Sequence, residues 1–258
     1  MSYQTIRYDL ADGQATITLN RPDVMNALNS LMRAELRDAV QQASAQARVV
    51  VLTGAGRAFC SGQDLGDRVN LGAIDLERTL RDEYEPMLQA IADCPVPVIA
   101  AVNGAAAGAG ANLALSADVV IAAESAVFLQ AFTRIGLMPD AGGTWWLPRQ
   151  VGSARAMGAA LFADRISARQ AADWGMIWEA VPDAGFAAHW QARARHIATG
   201  PTQAFKAVKA ALRASHDNSY GEQLGLEAQL QGELGRTRDF REGVMAFLEK
   251  RAAGFEGR

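Results

Sequence analysis

The chain has 258 residues, half of them apolar, which is enough to bury one large core and excludes disorder as its main state. With 25 basic against 28 acidic residues, the net charge of −3 gives no general attraction to nucleic acid or an anionic membrane, so any anionic ligand must be met by local groups. Cys60 and Cys94 lack metal-ligand or redox spacing, no metal cluster is evident, and there is neither a charged leader with an apolar h-region nor a run of about 18 apolar residues; the expectation is a soluble, unprocessed, cytoplasmic protein.

In chain order, "YQTIRYDLADGQATITLN" alternates with period two around Asp12-Gly13, which predicts a β-hairpin. After Arg21-Pro22, Leu28, Leu31, Met32, Leu36 and Val40 recur at helical spacing, with Asn26 or Asn29 available as the N-cap. "ARVVVLTGAG" reads as a strand covered on both faces, and "RAFCSGQDL" as a loop. Leu76 to Ala92 is helical again, and the stretch from Cys94 to Phe128 gives strand, glycine-rich turn, helix and strand. This alternation predicts an α/β fold with helices outside. "SARAMGAALFADRISARQAADWGMIWEAV" reads as two short helices and a strand, and from about His189 nearly everything is helical, broken at Gly200-Pro201. The expected organisation is a core over 1–197 and a helical region over 198–258.

Two loops follow apolar strands and precede helices, "FCSGQDL" at 59–65 and "GAAAGAGAN" at 104–112. Small residues let a ligand approach the backbone there, and the first N–H groups of a helix are donors to an oxygen carrying negative charge; the same residues would also serve close helix–strand packing. The second loop lacks both the P-loop Lys and the dinucleotide spacing. In "RIGLMPDAGGTWWLPR", Asp140 is the single carboxylate, and the residues alone leave open a role capping the helix that begins near Gly142. His189, His196 and His216 lie outside every such motif, Cys60 reads as a small packed residue, and the tryptophans read as core or interface, with one of Trp145, Trp146, Trp174 and Trp178 a candidate wall for an acyl pocket.

The runs "LNRPDVMNAL", "LTGAGRAFCSGQDL", "PVIAAVNGAAAGAGANLALSADVVIAA", "IGLMPDAGGTWWLPR" and "REGVMAFLEKR" together resemble the enoyl-CoA hydratase/isomerase, or crotonase, superfamily over nearly the whole chain. "GQDL", "NGAAAGAGANLAL", "PDAGGTWWLPR" and "DWGMIW" resemble most the branch that isomerises ring 1,2-epoxyphenylacetyl-CoA to oxepin-CoA in aerobic phenylacetate degradation. The resemblance implies a crotonase-type spiral of ββα units in two roughly perpendicular sheets. A C-terminal helical oligomerisation region would join a homo-oligomer, a trimer or dimer of trimers.

It also implies an acyl-CoA substrate and no cofactor beyond the CoA that enters with it. The thioester oxygen would sit between the backbone N–H groups of Gln63 and Ala109. The two glutamates of the family's hydratases fall at Asn112 and Phe132, neither of which is a base, whereas Asp140 matches the aspartate of some isomerases. Asp140 is therefore the expected general acid and base, its pKa raised by neighbours such as Leu137, Met138 and Trp145, with Asn112 orienting the substrate or an epoxide oxygen. CoA would be met by Met25, Arg57, Ala58, Ser61, Asp64, Leu65, Phe247 and Lys250, while Asp23 stands at a position that is often basic. The alternatives are a Δ3,Δ2-enoyl-CoA isomerase, a hydratase, or a member that only binds acyl-CoA or RNA; the balanced charge and lack of a basic stripe count against RNA.

Overall fold

The computed structural model describes residues 3–66 and 75–258. The hairpin forms as the alternation requires: β1 (Ile6–Ala11) and β2 (Gln14–Leu19) pair antiparallel, with Ala11 opposite Gln14 across the Asp12-Gly13 turn. Three ββα turns follow. β3 (Val49–Gly54) and β4 (Ala58–Cys60) lead to the helical segment α2 (Leu76–Thr79), a π turn (Leu80–Tyr84) and α3 (Glu85–Ala92). β5 (Val98–Val102) and β6 (Ala105–Ala107) lead to α4 (Ala109–Leu115), whereas β7 (Val119–Ala123) and β8 (Val127–Leu129) lead to α5 (Gly143–Phe162).

The first strand of each turn enters a six-stranded sheet ordered β1-β2-β3-β5-β7-β10, parallel from β2 onward. The second strand enters a four-stranded sheet, β4-β6-β8-β9, closed by an antiparallel β9 (Ile166–Ser167). β10 (Glu179–Val181) completes the larger sheet. This is the α/β crotonase-type spiral.

The β3 residues show why the larger sheet is apolar throughout. Val50 and Leu52 join the main core, whereas Val49 and Val51 pack on the opposite face against Phe186, Trp190, Ala194 and Ala198 of α7 (Asp183–Thr199). A strand buried on both faces has no solvent side for polar residues, and each such large side chain contributes about 1.5–3 kcal/mol of burial. Of the two asparagines offered as caps, Asn29 caps α1 (Ser30–Gln46), its Oδ1 accepting from Met32 N at 2.8 Å. Asn26 is instead buried at φ +57°, its amide donating to Ala55 O and Ala58 O at 2.9 Å each.

Two local readings need correction. The stretch read as a loop after β3 contains β4, and the glycine-rich turn contains β6, because three-residue strands of small residues carry no periodicity to detect. The region after Ser153 begins within the long helix α5, which is interrupted at Gly152, before α6 (Ala168–Asp173).

Beyond Gly200, α8 (Thr202–Ala214) is tied to the core through Asp118, whose carboxylate takes Lys209 and Arg213 at 2.7 Å each. No residue of α9 (Tyr220–Leu234) is buried within the chain, including Leu224, Leu226, Leu230 and Leu234, so these leucines do not form an intrachain core. α10 (Arg238–Glu249) exposes Phe240, Val244, Met245, Phe247 and Leu248. No helix among the described residues is long and apolar enough to cross a membrane.

Candidate active site

The ends of the short strands converge on a cavity of about 310 Å³ lined by Gln63, Tyr84, Ala109, Phe132, Leu137 and Asp140, among others. The first glycine loop reaches it after β4. Gly62 has φ +95°, and a Cβ there would stand 2.8 Å from Ala107 O and 3.3 Å from Ala109 N, so only glycine lets the two loops approach this closely. The second loop turns into α4 through Gly108 at φ +53°. Ala109 N is thus the first N–H of a helix, with no acceptor inside it. Among the described residues neither Gln63 N nor Ala109 N donates to a protein acceptor, although both residues line the cavity.

The Gln63 segment is held on the other side by residue 28: Leu28 N donates to Gly62 O at 2.8 Å and Asp64 N to Leu28 O at 3.1 Å. Ser61 N donates to Met25 O at 3.0 Å, which joins the segment around Met25 and the loop from Ala58 to Leu65 into one wall. Ser61 and Leu65 line the cavity; Ala58 is buried, and Arg57 and Met25 are exposed beside it. Asp64 pairs with Arg21 at 2.7 Å. Phe247 and Lys250 are placed elsewhere. Phe247 is 83% exposed and lines a different, C-terminal groove with Phe240, Val244 and Phe255, and Lys250 is the residue that ends α10.

Asp140 is the only carboxylate among the described residues lining the cavity. Its side chain does not cap α5, whose N-cap is Gly142 without a side-chain hydrogen bond. Burial in the cavity wall pushes its carboxyl up to about 6, only partly offset by its own backbone N–H. Of the three neighbours expected to desolvate it, Leu137 shares the cavity, Met138 is 64% exposed and Trp145 lines an adjoining pocket with Trp146. No tryptophan lines this cavity among the described residues, so the candidate wall offered among the four tryptophans is not found there; its aromatic groups are Tyr84 and Phe132.

Asn112 does not reach the cavity lining. It is fully buried, its Nδ2 donating to Asp140 O at 2.7 Å and its Oδ1 accepting from Gln130 Nε2 at 2.8 Å. One N–H and the oxygen of the amide are thus engaged, and the donated bond holds the backbone of Asp140. Gly143 makes this possible, since a Cβ there would lie 2.3 Å from Asn112 Nδ2. Gln130, which meets Asn112, and Tyr84, which lines the cavity, escape a sequence reading because only the fold brings them to the site.

The remaining reactive types lie apart. Cys60 is fully buried, its thiol pushed up to about 12, which makes it inert. His189 Nε2 lies 2.7 Å from Glu179, His196 packs near Phe205, and His216 packs against Trp145. No group of three or more His, Cys, Asp or Glu among the described residues is arranged to hold a metal.

Comparison with known proteins identifies the family. Residues 10–258 match the enoyl-CoA hydratase/isomerase family. A Rhodobacter capsulatus protein named "Probable enoyl-CoA hydratase" is 68% identical over the full length of both chains. The Escherichia coli protein named "1,2-epoxyphenylacetyl-CoA isomerase" is 49% identical, with 95% of this chain and 96% of that protein covered. The crystal structure of an enoyl-CoA hydratase from Bacillus anthracis superposes with a TM-score of 0.92 at 34% identity, covering 99% of this chain and all of the other. The chain belongs to the enoyl-CoA hydratase/isomerase family.

Proposed function

We propose that the protein isomerises ring 1,2-epoxyphenylacetyl-CoA to oxepin-CoA in aerobic phenylacetate catabolism. The observation that carries this reading is Asp140, desolvated and the lone carboxylate among the described residues lining the cavity, while the two positions of the family's hydratase glutamates hold Asn112, which donates to Asp140 O and accepts from Gln130, and Phe132, a hydrocarbon. Hydration by a pair of carboxylates has no second partner among the described residues lining the cavity. The 49% identity to a 1,2-epoxyphenylacetyl-CoA isomerase supports the same substrate.

In this mechanism the thioester oxygen accepts from Gln63 N–H and Ala109 N–H. Asp140 as carboxylate takes a proton from the carbon next to the thioester carbonyl, and the electron pair is delocalised onto that oxygen. Two preorganised donors in a site shielded from water lower such a barrier by about 3–4 kcal/mol each. The carbon–carbon bond shared by the epoxide and the six-membered ring opens to the seven-membered oxepin, and Asp140 returns its proton to another carbon of the conjugated system. Mass and redox state are unchanged, so no cofactor beyond the CoA of the substrate is required.

The wall formed by Met25, Arg57, Ala58, Ser61, Asp64 and Leu65 would carry the CoA. Phe247 and Lys250 would contribute only across a subunit boundary in a trimer or dimer of trimers, which the exposed apolar faces of α9 and α10 suit. A cytoplasmic location accords with a CoA-dependent reaction.

A second reading comes from the name of the 68% identical relative, a hydratase; a Δ3,Δ2-enoyl-CoA isomerase would use the same groups. The deciding experiment incubates the protein with freshly made ring 1,2-epoxyphenylacetyl-CoA and follows absorbance and mass, beside Asp140→Asn. A new chromophore at unchanged mass, absent in the variant, is expected. Addition of one water would establish a hydratase, and turnover of aliphatic 3-enoyl-CoA alone would establish the double-bond isomerase.

A further inference from the structure

Arg33 is a charge with its side chain fully removed from solvent, a burial that is costly unless every donor finds a partner. Its guanidinium donates to Leu28 O at 2.6 Å, to Gln63 Oε1 at 3.1 Å and to Glu83 Oε2 at 3.0 Å, and stacks 4.7 Å above the ring of Tyr84. Tyr84 in turn donates its hydroxyl to the same Gln63 Oε1 at 2.6 Å. The side-chain oxygen of Gln63 is therefore held by two donors from two different elements, which fixes both its rotamer and its orientation.

The element that brings Glu83 and Tyr84 together is the π turn Leu80–Tyr84, in which Glu85 N reaches back to Leu80 O and Pro86 follows within the first turn of α3. Such widened turns are frequent at functional sites, where they re-aim side chains. The backbone of Gln63 is bracketed by Leu28, whose carbonyl Arg33 also grips. The side chain of Gln63 and the backbone on either side of it are thus both held, at the residue whose N–H faces no acceptor among the described residues.

We propose that Arg33, Tyr84 and the Gln63 carboxamide form a clamp that positions the Gln63 N–H toward the thioester oxygen, with Arg33 and Tyr84 as positioning residues. This rests on the reading above that the oxygen sits between Gln63 N–H and Ala109 N–H. Misplacing a preorganised group by about 1 Å costs up to about 100-fold in rate, so loss of one of the two donors to Oε1 should lower kcat about 10-fold with little change in KM.

The test is isotope-edited infrared spectroscopy of bound [1-13C]hexanoyl-CoA, a saturated thioester, on the full chain, its Tyr84→Phe and Gln63→Ala variants and the double variant. Wild type is expected to lower the carbonyl stretch relative to free thioester. Tyr84→Phe, which removes one of the two donors, should lose part of that displacement; Gln63→Ala, which removes the acceptor of both, should lose more, and the double variant no more than Gln63→Ala alone. The acidic limb of the rate profile should stay where wild type has it, since Asp140 is untouched. Unchanged carbonyl bands in the single variants, additive losses, or a displaced acidic limb in Tyr84→Phe would overturn the clamp while leaving the oxyanion hole intact. A wild-type band that does not move would instead remove the oxyanion hole itself, and the clamp with it.

Discussion

Acidification should switch the reaction off near pH 6, well above where an ordinary aspartate titrates. In the proposed mechanism Asp140 must be ionised to act as the general base, and burial lifts its carboxyl from 3.8 to about 6. The ionised fraction then falls from about 90% at pH 7 to about 10% at pH 5, whereas a carboxyl at 3.8 would still be about 95% ionised at pH 5. kcat/KM measured from pH 4.5 to 8 should therefore drop about 10-fold between pH 7 and 5, and Asp140→Asn should be slower by about 100-fold or more at pH 7 to 8, with the gap narrowing as the wild type is protonated. The same displacement has a stability consequence. Below pH 3.8 folded and unfolded chains both carry the neutral acid and nothing is lost; above about 6 the folded chain carries a desolvated carboxylate. A displacement from 3.8 to about 6 corresponds to about 3 kcal/mol, which the partial solvation of the carboxyl in the cavity reduces to about 1–2. Asp140→Asn should thus raise urea stability at pH 7 by about 1–2 kcal/mol, with the gain vanishing as pH falls to about 4. An acidic limb near 4, or an asparagine variant no more stable at pH 7 than at pH 4, would refute the desolvation argument.

Three further outcomes follow from the packing. Gly143→Ala places a methyl 2.3 Å from Asn112 Nδ2 and should displace the loop carrying Asp140, cutting kcat while costing about 1–3 kcal/mol by thermal unfolding. Asn112→Ala leaves the Gln130 amide without its acceptor and removes one donor from Asp140 O, so about 1–3 kcal/mol should be lost in urea titrations, with a kcat defect and little change in KM. Asn29→Ala removes only the cap of α1 and should cost about 1 kcal/mol with activity intact.

The elements legible in the sequence were those whose signal is local. The Asp12-Gly13 hairpin, the Asn29 cap and the apolar β3 run each depend on neighbours within one element, and the structure forms them as the pattern requires. The position of Asp140 and the absence of carboxylates at Asn112 and Phe132 were likewise visible once the family resemblance marked those positions, because residue type decides which groups can titrate. Three-residue strands such as β4 and β6 were not, since they are specified by pairing with distant strands and too short to show a period. Nor was the division of labour between Asp140 and Asn112, because an amide that could meet a ligand is, once buried between α4 and the loop before α5, spent on the acid's own backbone. The grip of Arg33 and Tyr84 on Gln63 joins residues 21 to 51 positions apart. Only the fold sets that separation to zero, and only burial turns a helix arginine and a tyrosine into fixed donors.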